Sequence, residues 1–119
     1  MNSNMKSYSI RVEGGRTVLE RGAVPVPSPG AGQVLVRVHA AGLNRGEFIA
    51  ARGLHAKGAA RPAGTEGAGE IAALGTDVIG WKAGDRVMFR CGGAFAEYAL
   101  VDAREAIAAP QVLSWVEAA

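Results

Sequence analysis

Side chains alternate between apolar and polar over most of this chain, and a period of two cannot make a helical bundle. Tyr8, Ile10 and Val12 alternate with Ser9, Arg11 and Glu13, then Gly14-Gly15 intervenes before Arg16 to Glu20. That reads as a hairpin on a two-residue glycine turn, where positive φ costs nothing. Val24 to Gly32 is rich in proline and glycine and reads as an extended loop. Gln33 to Ala40 alternates again, with Val34, Val36 and Val38 on one face and Leu35, Arg37 and His39 on the other. β-Branched residues at this spacing favour a strand.

The second half is punctuated by glycine. Asn44 and Glu47 have the spacing of a helix N-cap and its third residue, which predicts a short helix through Phe48, Ile49 and Arg52, stopped by Gly53. Leu54 to Pro62 reads as an irregular loop. Gly64 to Gly75 reads as a glycine-rich strand, where glycine marks bulges or close backbone approach. Asp77 to Gly84 reads as a turn region, Arg86 to Arg90 and Ala94 to Val101 as strands, and Ala106 to Pro110 as a connection. Ser114-Trp-Val-Glu117 is a capping box, but only Ala118 and Ala119 follow it. So few residues do not overcome the cost of helix nucleation. The expectation is a piece of something longer. The pattern as a whole predicts one mostly β domain over residues 1–119, of the barrel or sandwich kind.

Composition narrows the function classes. The chain is 49% hydrophobic and 20% charged, so it is not disordered. No run of about 18 apolar residues exists to span a membrane. Met1 to Ser7 lacks an apolar run behind its lysine, so a secretory signal is not expected and the cytoplasm is the default. The net charge is +2 and the basic residues are spread between acids, which argues against nucleic acid as a partner. Cys91 is the sole cysteine, which excludes an internal disulfide and a zinc site built of several thiolates. It reads as a small buried or half-buried thiol.

Three segments carry a resemblance. They are Val36-Arg-Val-His-Ala-Ala-Gly-Leu-Asn44, Pro62-Ala-Gly-Thr-Glu-Gly-Ala-Gly-Glu-Ile-Ala-Ala-Leu-Gly75, and Gly84-Asp-Arg-Val87 leading to Gly93-Ala-Phe-Ala-Glu-Tyr98. In this order and spacing they resemble the N-terminal, GroES-like domain of the medium-chain dehydrogenase/reductase superfamily. The resemblance implies a mainly β fold, a partly open β-barrel with one or two short helices, forming one wall of an active-site cleft. In full-length relatives a Rossmann domain forms the other wall, and this chain stops before it. Zinc-dependent members hold their metal with a cysteine at the place of Asn44 and a histidine-glutamate pair at the place of Thr65-Glu66. Amide and hydroxyl groups are poor zinc ligands beside thiolate and imidazole, so no metal is expected. The four-cysteine lobe of zinc relatives is absent between Val87 and Gly92. The chain therefore looks like the zinc-independent quinone oxidoreductase and enoyl reductase branch. That branch reduces quinones or activated alkenes and carbonyls with NADPH by hydride transfer.

The resemblance places Asn44 in the cleft, where its amide would bond a cofactor ribose or donate to a substrate oxygen as charge grows there; the other reading is a simple helix cap. Glu47 stands where the branch often has an aspartate, and is either a second catalytic group or the partner of Asn44 in the cap. The tyrosine that the branch often adds two residues later is Ile49 here, so no phenol is available. Thr65 and Glu66 fall on the cleft floor as substrate-binding candidates; a buried Glu66 would need a partner, and a structural salt bridge is expected. His55 is a candidate substrate contact on a cleft-edge loop, or solvent-exposed. Arg52 would meet a cofactor phosphate, or lie on a solvated helix face. His39 reads as structural, Asp85-Arg86 as part of a turn, and Trp81 and Trp115 as covers for apolar surface. No glycine fingerprint opening a helix in a βαβ unit is present, so the main NADPH-binding part is absent and activity by this chain alone is uncertain. The competing reading is a stand-alone GroES-like binding or assembly module without catalysis. An exposed apolar face is expected where a second domain would dock, which leaves homo-oligomer formation open.

Overall fold

The computed structural model describes residues 3–48 and 60–119. It has eight strands: β1 (Asn4–Glu13), β2 (Arg16–Pro25), β3 (Gln33–Ala41), β4 (Arg61–Pro62), β5 (Glu66–Leu74), β6 (Arg86–Arg90), β7 (Tyr98–Asp102) and β8 (Ala106–Ala108). Short 3-10 turns cover Arg45–Phe48 and Ala103–Glu105, and one helix, α1, covers Trp115–Ala118. The strands form two antiparallel sheets, β2-β1-β4 and β7-β3-β5-β6-β8. Backbone bonds from Tyr8 N to Phe95 O and from Glu97 N to Lys6 O join β1 to the segment entering β7. The result is the partly open barrel that the motifs imply. Among the described residues no helix is long and apolar enough to cross a membrane.

The glycine hairpin forms as read. Glu13 faces Arg16, and Gly14 and Gly15 both take positive φ, 58° and 76°. That matches the twist of the flanking strands, which ordinary residues would not accept at both positions. The strand over Arg86–Arg90 also falls where alternation puts it. Two short strands escape the reading. β4 lies in the stretch read as a loop, and β8 in the stretch read as a connection. Strands of two or three residues carry no period, and Pro62 is tolerated because β4 is a sheet edge. The strand read over Ala94–Val101 begins only at Tyr98.

The main core is Val34, Val36, Ile71, Val87, Phe89, Ala94, Ala99 and Val101, with Trp81 packed against it. Each fully buried aliphatic side chain contributes about 1.5–3 kcal/mol. The face opposite is not wholly polar, because Leu35 is also buried. On that side α1 returns over β3 and β5, and Ala68, Ala109 and Ala118 form a second cluster with Met88, Leu113 and Trp115 against it.

The single turn of α1 stands despite its nucleation cost because packing and capping supply what propagation does not. Both capping-box bonds form, Glu117 N to Ser114 Oγ at 3.1 Å and Ser114 N to Glu117 Oε1 at 2.9 Å. Trp115 stacks on His39, with centroids 4.4 Å apart and planes 9° from parallel. The Arg86 guanidinium lies 3.9 Å from the Trp115 ring centroid, and its Nη2 donates to Leu113 O at 2.8 Å. His39 is thus structural, its Nε2 lying 3.1 Å from Glu70 Oε1. Asp85 fixes the preceding turn by accepting from Lys82 N and Lys82 Nζ, bonds that hold its carboxyl below the usual carboxylate range.

β3 and β5 approach closely, with two bulges, between Leu35 and Val36 and between Val38 and Ala40. A Cβ on Gly69 would collide with the carbonyl of Arg37 across the pair. Gly69→Ala is therefore expected to cost about 3 kcal/mol or more. Gly22→Ala, where a Cβ meets nothing within 4 Å, should change stability by less than about 1 kcal/mol. Urea denaturation of both variants at unchanged slope measures the contrast.

Candidate functional site

The site is built where β3 ends beside the start of β5. Ala41 faces Gly67, and Gly42 N donates to Glu66 O at 3.1 Å. The chain then passes Leu43 and enters the 3-10 turn that carries Asn44 at its start and Glu47 within it. Gly42 is small for a reason: a Cβ there would stand 2.8 Å from Glu66 Oε2. The β3–β5 pairing thereby sets Asn44 and Glu47 against Thr65 and Glu66.

These four residues form one chain of hydrogen bonds. Thr65 Oγ1 donates to Glu47 Oε1 at 2.7 Å. The Asn44 amide nitrogen donates to Glu66 Oε2 at 2.7 Å and to Thr65 Oγ1 at 3.3 Å. The directions follow from valence. A carboxylate only accepts, a hydroxyl has one hydrogen, and the Thr65 hydrogen is committed to Glu47. The nitrogen of Asn44 must therefore face both neighbours, and both of its hydrogens are used. Its Oδ1 remains as an acceptor. Among the described residues no backbone N–H donates to this side chain; the Asn44 carbonyl accepts from Glu47 N, at 3.1 Å. Glu66 has the amide as partner where an ion pair was expected; it makes none among the described residues. Glu47 is 6% exposed, and its Oε2 is buried without a partner among the described residues.

Asn44, Glu47, Thr65 and Glu66 line one cleft of about 760 Å³, together with Arg61 and Cys91. Burial pushes the Cys91 thiol up to about 11, so it is neutral at physiological pH and no ready nucleophile. Arg61 was not singled out by motif reading. Its signal in the sequence is a lone charge directly before the Pro62-to-Gly75 segment. His55 and Arg52 lie outside the described residues, as does the predicted helix beyond Phe48. Among the described residues, no three or more of His, Cys, Asp and Glu are grouped to hold a metal ion.

Residues 30–111 match the alcohol dehydrogenase GroES-like domain. The chain belongs to that family. This GroES-like domain is 40% identical over 102 residues to the rat (Rattus norvegicus) synaptic vesicle membrane protein VAT-1 homolog, covering 83% of the chain and 25% of that protein. It is 36% identical over 117 residues to a quinone oxidoreductase of Pseudomonas aeruginosa, covering 96% of the chain and 36% of that protein. Among solved structures it superposes on the quinone oxidoreductase of Coxiella burnetii with a TM-score of 0.86, at 28% identity, over 97% of the chain and 40% of that protein. A mycobacterial protein solved with NADPH superposes with a TM-score of 0.77, at 28% identity, over 93% of the chain and 34% of that protein. The GroES-like domain thus spans well under half the length of each of these proteins.

Two measurements check the site. Thr65→Val strips the Glu47 carboxylate of the side-chain donor it has among the described residues and should cost about 2–3 kcal/mol, whereas Thr65→Ser should stay within about 1 kcal/mol; denaturation curves and the Asn44 side-chain amide resonances read both. For Cys91, the raised folded value means that the folded state holds its proton longer than the unfolded chain does. Its contribution is therefore intact below the ordinary value of 9.0 and declines between there and about pH 11. Alkylation by iodoacetamide should be slow at pH 8 and accelerate towards pH 11.

Proposed function

We propose that residues 1–119 form the catalytic-domain portion of an NAD(P)H-dependent oxidoreductase that reduces quinones or activated alkenes and carbonyls without a metal. The Asn44–Thr65–Glu47–Glu66 array carries the reading. It is a rigid, hydrogen-bonded polar edge on a largely apolar cleft, built from groups that are poor zinc ligands, apart from its two carboxylates. Quinone oxidoreductases among its relatives, and a relative solved with NADPH, support the reaction class.

Oδ1 of Asn44, which has no donor among the described residues, fits a nicotinamide nucleotide, because it is an acceptor open to a hydroxyl donor such as a ribose offers. With both amide hydrogens held by Glu66 and Thr65, Asn44 positions a ligand by accepting from it; it does not donate to a substrate oxygen. Thr65 and Glu47 lock that orientation, since rotating the amide would set Oδ1 against a carboxylate. A bound reduced nicotinamide supplies the hydride. The remaining wall and most of the cofactor's binding groups belong to a following domain.

The test uses the gene product read on past Ala119, with quinones and enones offered as substrates and the absorbance of the reduced nicotinamide as readout. Turnover is expected to persist after chelation. Asn44→Ala should lower kcat/KM by about 10- to 100-fold, the cost of a misplaced reactant. The 119-residue chain alone should show no micromolar NADPH binding by calorimetry. Absence of turnover with every quinone and enone, or its loss on chelation, rejects the proposal.

A further inference from the structure

Arg61 stands apart from the other described arginines that have partners. Arg11 pairs with Glu13 and Glu20, Arg37 with Glu70, Arg104 with Asp102, and Arg86 covers Trp115. Arg61 opens β4 opposite Ile10 and is half-buried. Among the described residues its Nε, like that of Arg86, is buried without a hydrogen-bond partner, but Arg86 donates through Nη2 to Leu113 O whereas no such bond and no carboxylate is found for Arg61. A cation partly stripped of water and given no counter-charge is costly unless something else supplies the charge. Arg61 lines the same cleft as Asn44, with Ile10 opposite it in the β1–β4 pair and Pro62, Ala63 and the neutral Cys91 also on the lining.

The cleft carries charge of both signs. Glu47 and Glu66 sit on the edge formed by the ends of β3 and β5, with the exposed Arg90 opposite Glu66 across the β5–β6 pair and Glu105 also on the lining, while Arg61 belongs to the other sheet. Arg90 is exposed, where water weakens its pairing, so a ligand with one anionic end and an apolar body is held best with its anion at the half-buried Arg61 and away from Glu47 and Glu66. The planar fork of a guanidinium suits two oxygens of one carboxylate.

We propose that Arg61 is an anion-recognising residue of this cleft, and that the cleft takes small unsaturated or aromatic acids with the carboxylate on the guanidinium. The inference names a substrate class for the reductase reading and rests on it. The other source of anionic oxygen is a cofactor phosphate, and the experiment separates the two.

The 119-residue chain is titrated with benzoate, with neutral benzamide and with adenosine 2′,5′-bisphosphate, followed by the backbone amide resonances of Ala63 and Cys91. Benzoate is expected to bind saturably and at least about tenfold more tightly than benzamide. Arg61→Gln should weaken benzoate by about tenfold or more, Arg61→Lys by less, and Arg90→Gln, an exposed cation on the same cleft, by less than about twofold. Should Arg61→Gln lose its native spectrum, the lysine variant and the wild-type preference for benzoate over benzamide still decide the matter. Equal binding of benzoate and benzamide, no binding of either, or full benzoate affinity in Arg61→Gln overturns the proposal. So does tighter binding of the bisphosphate through Arg61, which would assign the residue to a phosphate. Arg61-dependent benzoate binding in a protein without turnover would leave the anion site standing and reject the reductase reading; turnover with no such binding would reject the anion site alone.

Discussion

The close pairing of β3 with β5 is the contact on which the site depends. It brings Asn44 within hydrogen-bond reach of Thr65 and Glu66, positions 21 and 22 residues away in sequence. The approach requires backbone without side chains. A Cβ on Gly67 would crowd the carbonyl of Ala40, and one on Gly69 that of Arg37. The glycines of this segment are thus spacers in a sheet, and their value lies in what they let the neighbouring strand do. The core valines of β3 and Ile71 of β5 then lock the register, since a slip of one residue would turn Val34 and Val36 out of the core.

From that pairing the polar array follows by simple valence. Four side chains share three hydrogen bonds, and each donor hydrogen in the array has a protein acceptor. Turning Thr65 would leave the buried Glu47 carboxylate without its side-chain donor, which holds the array in this arrangement. The outcome for Asn44 is counterintuitive. A carboxamide on the edge of a cleft suggests a donor for a ligand's oxygen, yet the donors are the part of this group already in use. What it offers is an oxygen.

Much of the fold was legible because alternation and turn chemistry are local. The Gly14-Gly15 hairpin, the strand from Gln33 and the strand over Arg86–Arg90 all announce themselves within a few residues. β4 and β8 do not, since two or three residues cannot display a period and their existence depends on a partner strand. α1 was half legible. Its capping box is written in sequence, but its persistence depends on Trp115 meeting His39 and Arg86, residues far away along the chain. In the site, the resemblance implied that Asn44 and Thr65-Glu66 share one cleft. It did not imply the direction of the Asn44 amide, which is decided by which neighbours can only accept.

Arg61 illustrates the remaining gap. A single arginine before a proline has no periodicity and belongs to no motif; only its place directly before the Pro62-to-Gly75 segment marks it. Its meaning comes from a balance visible only in three dimensions: a cleft in which Glu47 and Glu66 each accept a bond from a neutral donor, while Arg61 has no carboxylate partner among the described residues. In a largely apolar cleft, charge separated in this way acts as a template. It rejects anions at one end and holds them at the other, so the orientation of a bound acid would be set before any chemistry begins. The hydrogen-bonded edge fixes where a hydroxyl can sit, the guanidinium fixes where a carboxylate can sit, and the span between them selects the ligand.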